Sequence, residues 1–207
     1  KGKFFENLDI NHKNNSEIIY NFIKPLKEFP KKKKLIIFSG KLNKSKGFDI
    51  FANAITKILD KYKDWSAIVF GDEPREKFNI KHDRLSINNW IDHNKLLKYY
   101  AKSSISIVNP TWSEPFGRTA MESASRGCAV ITSKSGGLSE TFENNIILKK
   151  NNSKNLFNEI SNLIENKKYL KKIQLTNFKN VKHKPKSSIK KLDNLRIDTL
   201  LPYKIKN

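Results

Sequence analysis

Short apolar runs alternate with segments of helical periodicity along most of this chain, and that alternation limits its fold more than any other feature. LIIFS (35–39), SAIVFG (66–71), RLSIN (84–88), SISIVNP (104–110) and CAVIT (128–132) each have the length and β-branched content of a buried strand, with NIIL (145–148) as a sixth. Between them, GFDIFANAITKILDKY (47–62), HNKLLKYYAKS (93–103) and FGRTAMESASRG (116–127) repeat apolar residues at helical spacing. NLFNEISNLIE and YLKKIQLTNFKNV read as two further helices, 187–201 as another, and SEIIYNFIKPL as a helical stretch near the start. Strands too short to cross a sheet twice, each followed by a helix, predict parallel βαβ units. The fold class is α/β, a Rossmann-like parallel sheet with helices on both faces. The expected organisation is a lead-in over 1–30, one domain over 31–183 and a tail over 184–207, Lys/Asn/Ser-rich from about Lys179.

In open parallel sheets, ligands bind beyond the carboxyl ends of the strands, where the strand order reverses. Each conspicuous polar motif here follows a strand. SGKLNKSKGFD (39–49) joins the first strand to the first helix: Gly40 and Gly47 permit a tight turn and an open helix start, and Lys41, Lys44 and Lys46 share one loop. Such a loop can hold a diphosphate through amides and ammonium groups, or can be a solvated basic turn. It is neither GxxxxGK[ST] nor GxGxxG. SEPFGRTAMES (113–123) follows the fourth strand and sets Glu114 and Glu122 apart by seven residues. Glu114 belongs to the loop and Glu122 to the second turn of the helix, so both carboxylates could accept hydrogen bonds from sugar hydroxyls. A glutamate near a helix start also complements the dipole. TSKSGGLSE (132–140) follows the fifth strand, and Gly136 and Gly137 allow close backbone approach, with a short helix expected over 138–142.

Composition narrows the partners. A net charge of +21 over 207 residues comes from 36 lysines against five arginines, spread along the chain apart from Lys31 to Lys34. Abundant Asn and Ile alongside Lys fit AT-rich coding bias with a solvated surface; attraction to an anionic membrane or polyanion is the second reading. Without Arg forks or alternating aromatics, no nucleic-acid partner is expected. The single cysteine, Cys128, excludes an internal disulfide and fits a reducing compartment; it opens an apolar strand and reads as a small buried residue. The opening KGKFFENLDI lacks the apolar centre of a signal peptide, and no run is long enough to span a bilayer. The expectation is a cytoplasmic domain, peripheral on the inner face of a membrane at most. Lys1 in place of methionine suggests an excised or processed piece. His12, His82, His93 and His183 sit in polar stretches and read as ordinary surface residues, and Asp72 as a loop residue near the cleft.

Taken in order, SGKLNKSKGFD, VFGDEP, INNWIDHNKLLKYYAKSSISIVNP, SEPFGRTAMESASRGCAVI and SGGLSE resemble the donor-binding, C-terminal half of retaining glycosyltransferases of family 4, which have the two-domain GT-B fold. The resemblance runs from about Leu35 to Val181. It implies a nucleotide-sugar donor, transfer of a hexosyl group to a hydroxyl, and departure of the nucleotide diphosphate from the same face. It implies that Lys41 and Lys46 neutralise the diphosphate, that Glu114 with the Phe116 and Gly117 amides contacts the sugar and phosphate, and that Glu122 takes the ribose hydroxyls. Gly40, Arg118 and Thr119 join the donor site, and Trp90 and Ile91 lie at the nucleobase loop. No metal or cofactor is expected, because the lysines supply the positive charge.

The family commonly has arginine where this chain has Lys41, and glycine where it has Asn89, a residue that tolerates positive φ. Members also carry an N-terminal domain for the acceptor, here expected to be a saccharide or lipid-linked sugar of cell-envelope polysaccharide or lipopolysaccharide synthesis. KKLDNLRIDTLLPYKIKN reads as a helix returning to that domain, without which the piece is expected to be inactive. Two other functions fit the same residues: a GT-B-like nucleotide-sugar epimerase, and a non-catalytic basic module that binds polyanions.

Overall fold

The computed structural model describes residues 21–138, 146–180 and 185–204. Six strands form one parallel sheet: β1 (Lys33–Ser39), β2 (Ser66–Phe70), β3 (Leu85–Asn88), β4 (Ser103–Val108), β5 (Ala129–Thr132) and β6 (Ile146–Ile147). Their order is β3-β2-β1-β4-β5-β6. The chain winds outward from β1 in one direction, then returns to the other side of β1 with β4. The order therefore reverses between β1 and β4, where Ile36 pairs with Ile105 and Phe38 with Ile107.

Among the described residues five helices pack about the sheet, α1 (Phe48–Lys61), α2 (His93–Lys102), α3 (Arg118–Ser125), α4 (Ser153–Glu165) and α5 (Lys167–Lys179), and a further helix, α6 (Pro185–Lys204), follows them. The apolar runs of β1 are continuous because both faces are buried. Ile36 and Phe38 enter a core with Phe48, Phe51, Ile55, Ile58 and Leu59 of α1 and Leu156, Ile160 and Leu163 of α4. Ile37, one residue out of phase, enters the opposite core with Tyr100, Ala120, Ala124, Cys128 and Val130. Phe38 and Phe51 rings lie 5.0 Å apart, and Phe48 meets Phe78 edge-on at 5.1 Å. This apolar clamp fixes the end of β1 against the start of α1, and so fixes the loop between them.

The expected helical stretch near the start is not formed in its described part: residues 21–26 carry no helix, and 16–20 lie outside the described residues. Residues 21–30 instead dock as a lead-in that is neither helix nor strand. Ile23 is buried, Arg126 Nη1 donates to the Lys24 carbonyl (2.9 Å), and Phe29 meets Phe178 edge-on at 5.4 Å. Pro25 and the neighbouring polar residues leave too few periodic apolar positions for a helix. The short helix expected over 138–142 lies outside the described residues beyond Leu138, as do His12 and His183. Among the described residues no helix is long and apolar enough to cross a membrane.

Candidate functional site

The loops that leave β1 and β4 meet at the reversal of strand order. The β1 loop rises through Gly40, whose amide donates to the Phe70 carbonyl (3.0 Å), and closes in a 3-10 turn over Lys44–Lys46. Asn43 caps that turn, its side chain accepting from the Lys46 amide (3.0 Å). Asn43 Nδ2 in turn donates to Glu73 Oε2 (3.3 Å), and the Lys44 amide donates to Glu76 Oε2 (3.0 Å). Arg75 grips Glu73 in a two-pronged contact, Nε to Oε1 at 2.6 Å and Nη2 to Oε2 at 2.8 Å. That guanidinium holds the Glu73 carboxyl down at about 2, well below the usual range. The VFGDEP stretch therefore sets the shape of the lysine loop.

The β4 loop is strapped to the β1 loop. Gly47 has φ 75°, and a Cβ there would lie 2.1 Å from the Asn109 carbonyl oxygen, so only glycine lets the two chains approach so closely. The Thr111 amide donates to Ser45 O (2.9 Å) and its hydroxyl to Lys44 O (2.9 Å). From the other side, Ser133 Oγ donates to Pro110 O (2.7 Å), and Asn151 Nδ2 donates to the carbonyls of Asn109 (3.0 Å) and Pro110 (3.1 Å). The paired glycines of TSKSGGLSE have a specific purpose here. A Cβ on Gly136 would stand 2.2 Å from Glu114 O, and one on Gly137 would stand 2.2 Å from Pro115 O; the Gly137 amide donates to Glu114 O (2.8 Å). The backbone that carries Glu114 is thus held by three loops.

These straps bring the side chains together. Lys46 Nζ lies 2.6 Å from Glu114 Oε2, Trp112 Nε1 donates to the same oxygen (3.1 Å), and the Lys46 ammonium stands 4.6 Å from the centre of the Trp112 ring. Lys41 is exposed and has no ion-pair partner among the described residues. Gly117, with φ 85°, opens α3 without a side-chain cap. The amides of Gly117, Arg118 and Thr119 have no acceptor among the described residues, which makes the helix start a place for negative charge.

A cleft of about 430 Å³ gathers Gly40, Lys41, Lys46, Trp90, Glu114, Phe116, Gly117, Arg118 and Thr119 along its wall. Asn21 of the lead-in lines it as well. Two residues expected at the site stand behind this wall. Ile91 packs against the core that contains Tyr100. Glu122, one turn into α3 beyond Arg118, is buried, and its Oε1 accepts from Arg118 Nη2 (3.3 Å) and meets His93 Nε2 (3.1 Å). Under the cleft, Ser39 Oγ and Tyr100 Oη share a hydrogen bond, and burial pushes the Tyr100 phenol above its ordinary pKa.

Several residues were not expected from the sequence: Asn43, Glu73, Asn109, Trp112, Asn151 and His93. Only Trp112 carried a local signal, an indole within two residues of Glu114. His93 is the first residue of α2 and a partner of Glu122, not merely a surface residue. Asn89 needs no left-handed backbone, because every positive φ among the described residues belongs to glycine. Cys128 is fully buried, its thiol raised by burial and bonded to Tyr100 O (3.1 Å). Among the described residues no group of three or more His, Cys, Asp or Glu side chains could hold a metal.

The fold has close structural relatives. The C-terminal domain of a group 1 family glycosyl transferase (LpcC) from Francisella tularensis superposes with a TM-score of 0.66 at 24% identity, over 78% of this chain and 95% of that one. HepE from Anabaena, in complex with UDP-glucose, gives 0.64 at 19% identity over 78% of this chain and 49% of its own. Spore coat protein SA of Bacillus subtilis is 26% identical over 125 residues, 54% of this chain and 33% of that protein. The chain spans about a third of the length of the curated relatives it matches. Its sheet and helices match the C-terminal half of the GT-B fold. The family model for glycosyl transferases group 1 matches residues 20–179, and the chain belongs to that family.

Proposed function

We propose that this chain is the donor-binding half of a glycosyltransferase and that the cleft between the β1 and β4 loops receives a nucleotide-sugar. The observation that carries this reading is the convergence of two lysines, a carboxylate and three amides that have no acceptor among the described residues on one cleft at the reversal of strand order. Amides and ammonium groups suit a diphosphate, and a carboxylate suits sugar hydroxyls. In this reading Lys41 and Lys46 lie against the diphosphate with the amides of Gly117 to Thr119. Glu114, with the loop at Phe116, takes hydroxyls of the transferred sugar. Trp90 flanks the base, and Glu122 serves the ribose.

Charge builds on the diphosphate as the glycosidic bond breaks, so fixed cations at that point lower the barrier without a metal. Departure of the diphosphate and attack by the acceptor hydroxyl on the same face would give retention. The acceptor, a saccharide or lipid-linked sugar of envelope polysaccharide synthesis, would be held by a further domain of the whole protein. A face rich in lysine would allow that protein to rest on an anionic membrane.

Calorimetric titration with UDP, GDP and ADP, each with and without an attached sugar, tests the reading. Saturable binding of a nucleoside diphosphate, tightened or altered by the sugar, is expected. Only salt-sensitive binding to any polyanion would overturn it.

A further inference from the structure

Ser39 ends β1 beneath the cleft, and its hydroxyl is tied to a phenol that has no access to water. Side chains alternate across a strand, so Ser39 points to the same side of the sheet as Ile37, towards the core that holds Tyr100. Tyr100 is wholly enclosed, and its backbone is pinned where its carbonyl accepts from Lys32 Nζ (3.1 Å) and Cys128 Sγ (3.1 Å). Its Oη shares a hydrogen bond with Ser39 Oγ. Burial raises the pKa of the phenol, which therefore keeps its proton and remains a donor at neutral pH. Of the two hydroxyls the phenol is the stronger acid, so its proton lies towards Ser39 Oγ. Two hydroxyls bring two protons and form one bond between them, which leaves the Ser39 O–H in need of an acceptor. Ser39 Oγ has no other hydrogen-bond partner among the described residues. Its residue is otherwise buried but lines the cleft, together with Gly40, Lys41 and Thr119. Thr119, the other hydroxyl beside the Tyr100 phenol, belongs to the start of α3, where amides offer a place for negative charge.

We propose that Ser39 is a further phosphate ligand of the cleft: its Oγ accepts from Tyr100, its O–H donates to a non-bridging oxygen of the donor diphosphate, and Tyr100 is the positioning residue that turns that proton outward. The inference rests on the donor-site reading above. A phosphate oxygen accepts hydrogen bonds, and a hydroxyl already engaged as an acceptor by a buried phenol is left to act as the matching donor. Lys41 and Lys46 bring charge on long, rotatable stems. Ser39 brings direction, because its short side chain stands at the end of a strand and its rotor is held from below.

The test titrates this chain, Ser39→Ala, Tyr100→Phe and the double variant Ser39→Ala/Tyr100→Phe with UDP, GDP and ADP, and melts each protein. For the nucleotide that binds, Ser39→Ala is expected to weaken affinity about tenfold, the effect of one hydrogen bond to a charged group. Tyr100→Phe is expected to weaken it about threefold, since the serine hydroxyl remains but loses its fixed direction. Ser39→Ala leaves a buried phenol without its acceptor and should melt early, whereas the double variant removes both partners and should melt close to the unaltered chain. Its affinity should nevertheless stay about tenfold down, no worse than that of Ser39→Ala. The double variant also keeps the test decisive if Ser39→Ala alone does not fold. Recovery of affinity along with melting temperature in the double variant would reduce the pair to a tie between β1 and α2 and overturn the proposal. Unchanged affinity in Ser39→Ala, or equal losses in the two single variants, would overturn it as well, leaving the donor cleft intact. No binding of any of the three nucleotides to the unaltered chain would overturn the donor-site reading itself.

Discussion

Lys46 Nζ lies 2.6 Å from Glu114 Oε2, so the cation proposed for the diphosphate and the carboxylate proposed for the sugar are paired with each other. Trp112 closes this pair from one side, its N–H on the carboxylate and its ring beneath the ammonium. A donor entering the cleft must divide the pair, its phosphate drawing the lysine and its hydroxyls drawing the glutamate. The pair is partly exposed, so dividing it costs little. The pairing keeps both side chains in the cleft.

Glu114→Gln should therefore act in opposite directions on two ligands. Lys46 is released from its ion pair, and nucleoside diphosphate affinity should rise by about 0.5–1 kcal/mol, roughly two- to fivefold. The gain from an attached sugar should shrink at the same time. Calorimetric titration with the nucleoside diphosphate and its sugar conjugate measures both; a fall in diphosphate affinity would separate Glu114 from Lys46 functionally.

Lys41 has no ion-pair partner among the described residues, so its replacement breaks no ion pair among them. Lys41→Ala should leave the melting temperature nearly unchanged while weakening the diphosphate by about 1.5–3 kcal/mol. The salt dependence of binding should flatten with it. Titrations at two ionic strengths show whether affinity and slope fall together.

Gly136 has φ 55° and presses on both Glu114 O, at 2.2 Å from an added Cβ, and Glu114 N, at 2.8 Å. Both neighbours are backbone atoms and cannot turn aside. Gly136→Ala should cost about 1–3 kcal/mol of stability and displace the Glu114 loop. Thermal melting should show the loss, and the sugar's contribution to donor affinity should fall. Unchanged donor discrimination with a lowered melting point would mean that the loop tolerates the shift.

Glu73 supplies a pH signature. Arg75 holds its folded-state pKa at about 2, below the ordinary carboxylate value. A depressed pKa means that the contact stabilises the fold fully above the unfolded value of 4.5 and loses that contribution as pH falls from there towards about 2. The melting temperature of the chain should drop through that window. Glu73→Gln should lower stability at neutral pH and flatten the acid limb. Because Glu73 also holds Asn43, the variant should loosen the lysine loop and weaken diphosphate binding.

The sequence by itself determined the elements and their class. Alternating apolar runs specify buried strands and amphipathic helices because side-chain period follows directly from backbone geometry, and strands that are apolar on both faces must be covered on both. The strand-end positions of Gly40, Lys41, Lys46, Glu114 and Gly117 were legible for the same reason: each lies a few residues beyond an apolar run. Strand order was not. Local pattern is the same for any parallel arrangement, and only the packing of β4 beside β1 decides that these two loops share a cleft. Nor could the sequence say what Gly136 and Gly137 approach, since a glycine signals close contact without naming the partner. The salt bridge of Lys46 with Glu114, the grip of Arg75 and Asn43 on Glu73, and the meeting of His93 with Glu122 all depend on where tertiary packing places side chains. Hydrogen bonds and ion pairs act over about 3 Å, and at that range the chain's own spacing carries no information about residues that only folding brings together.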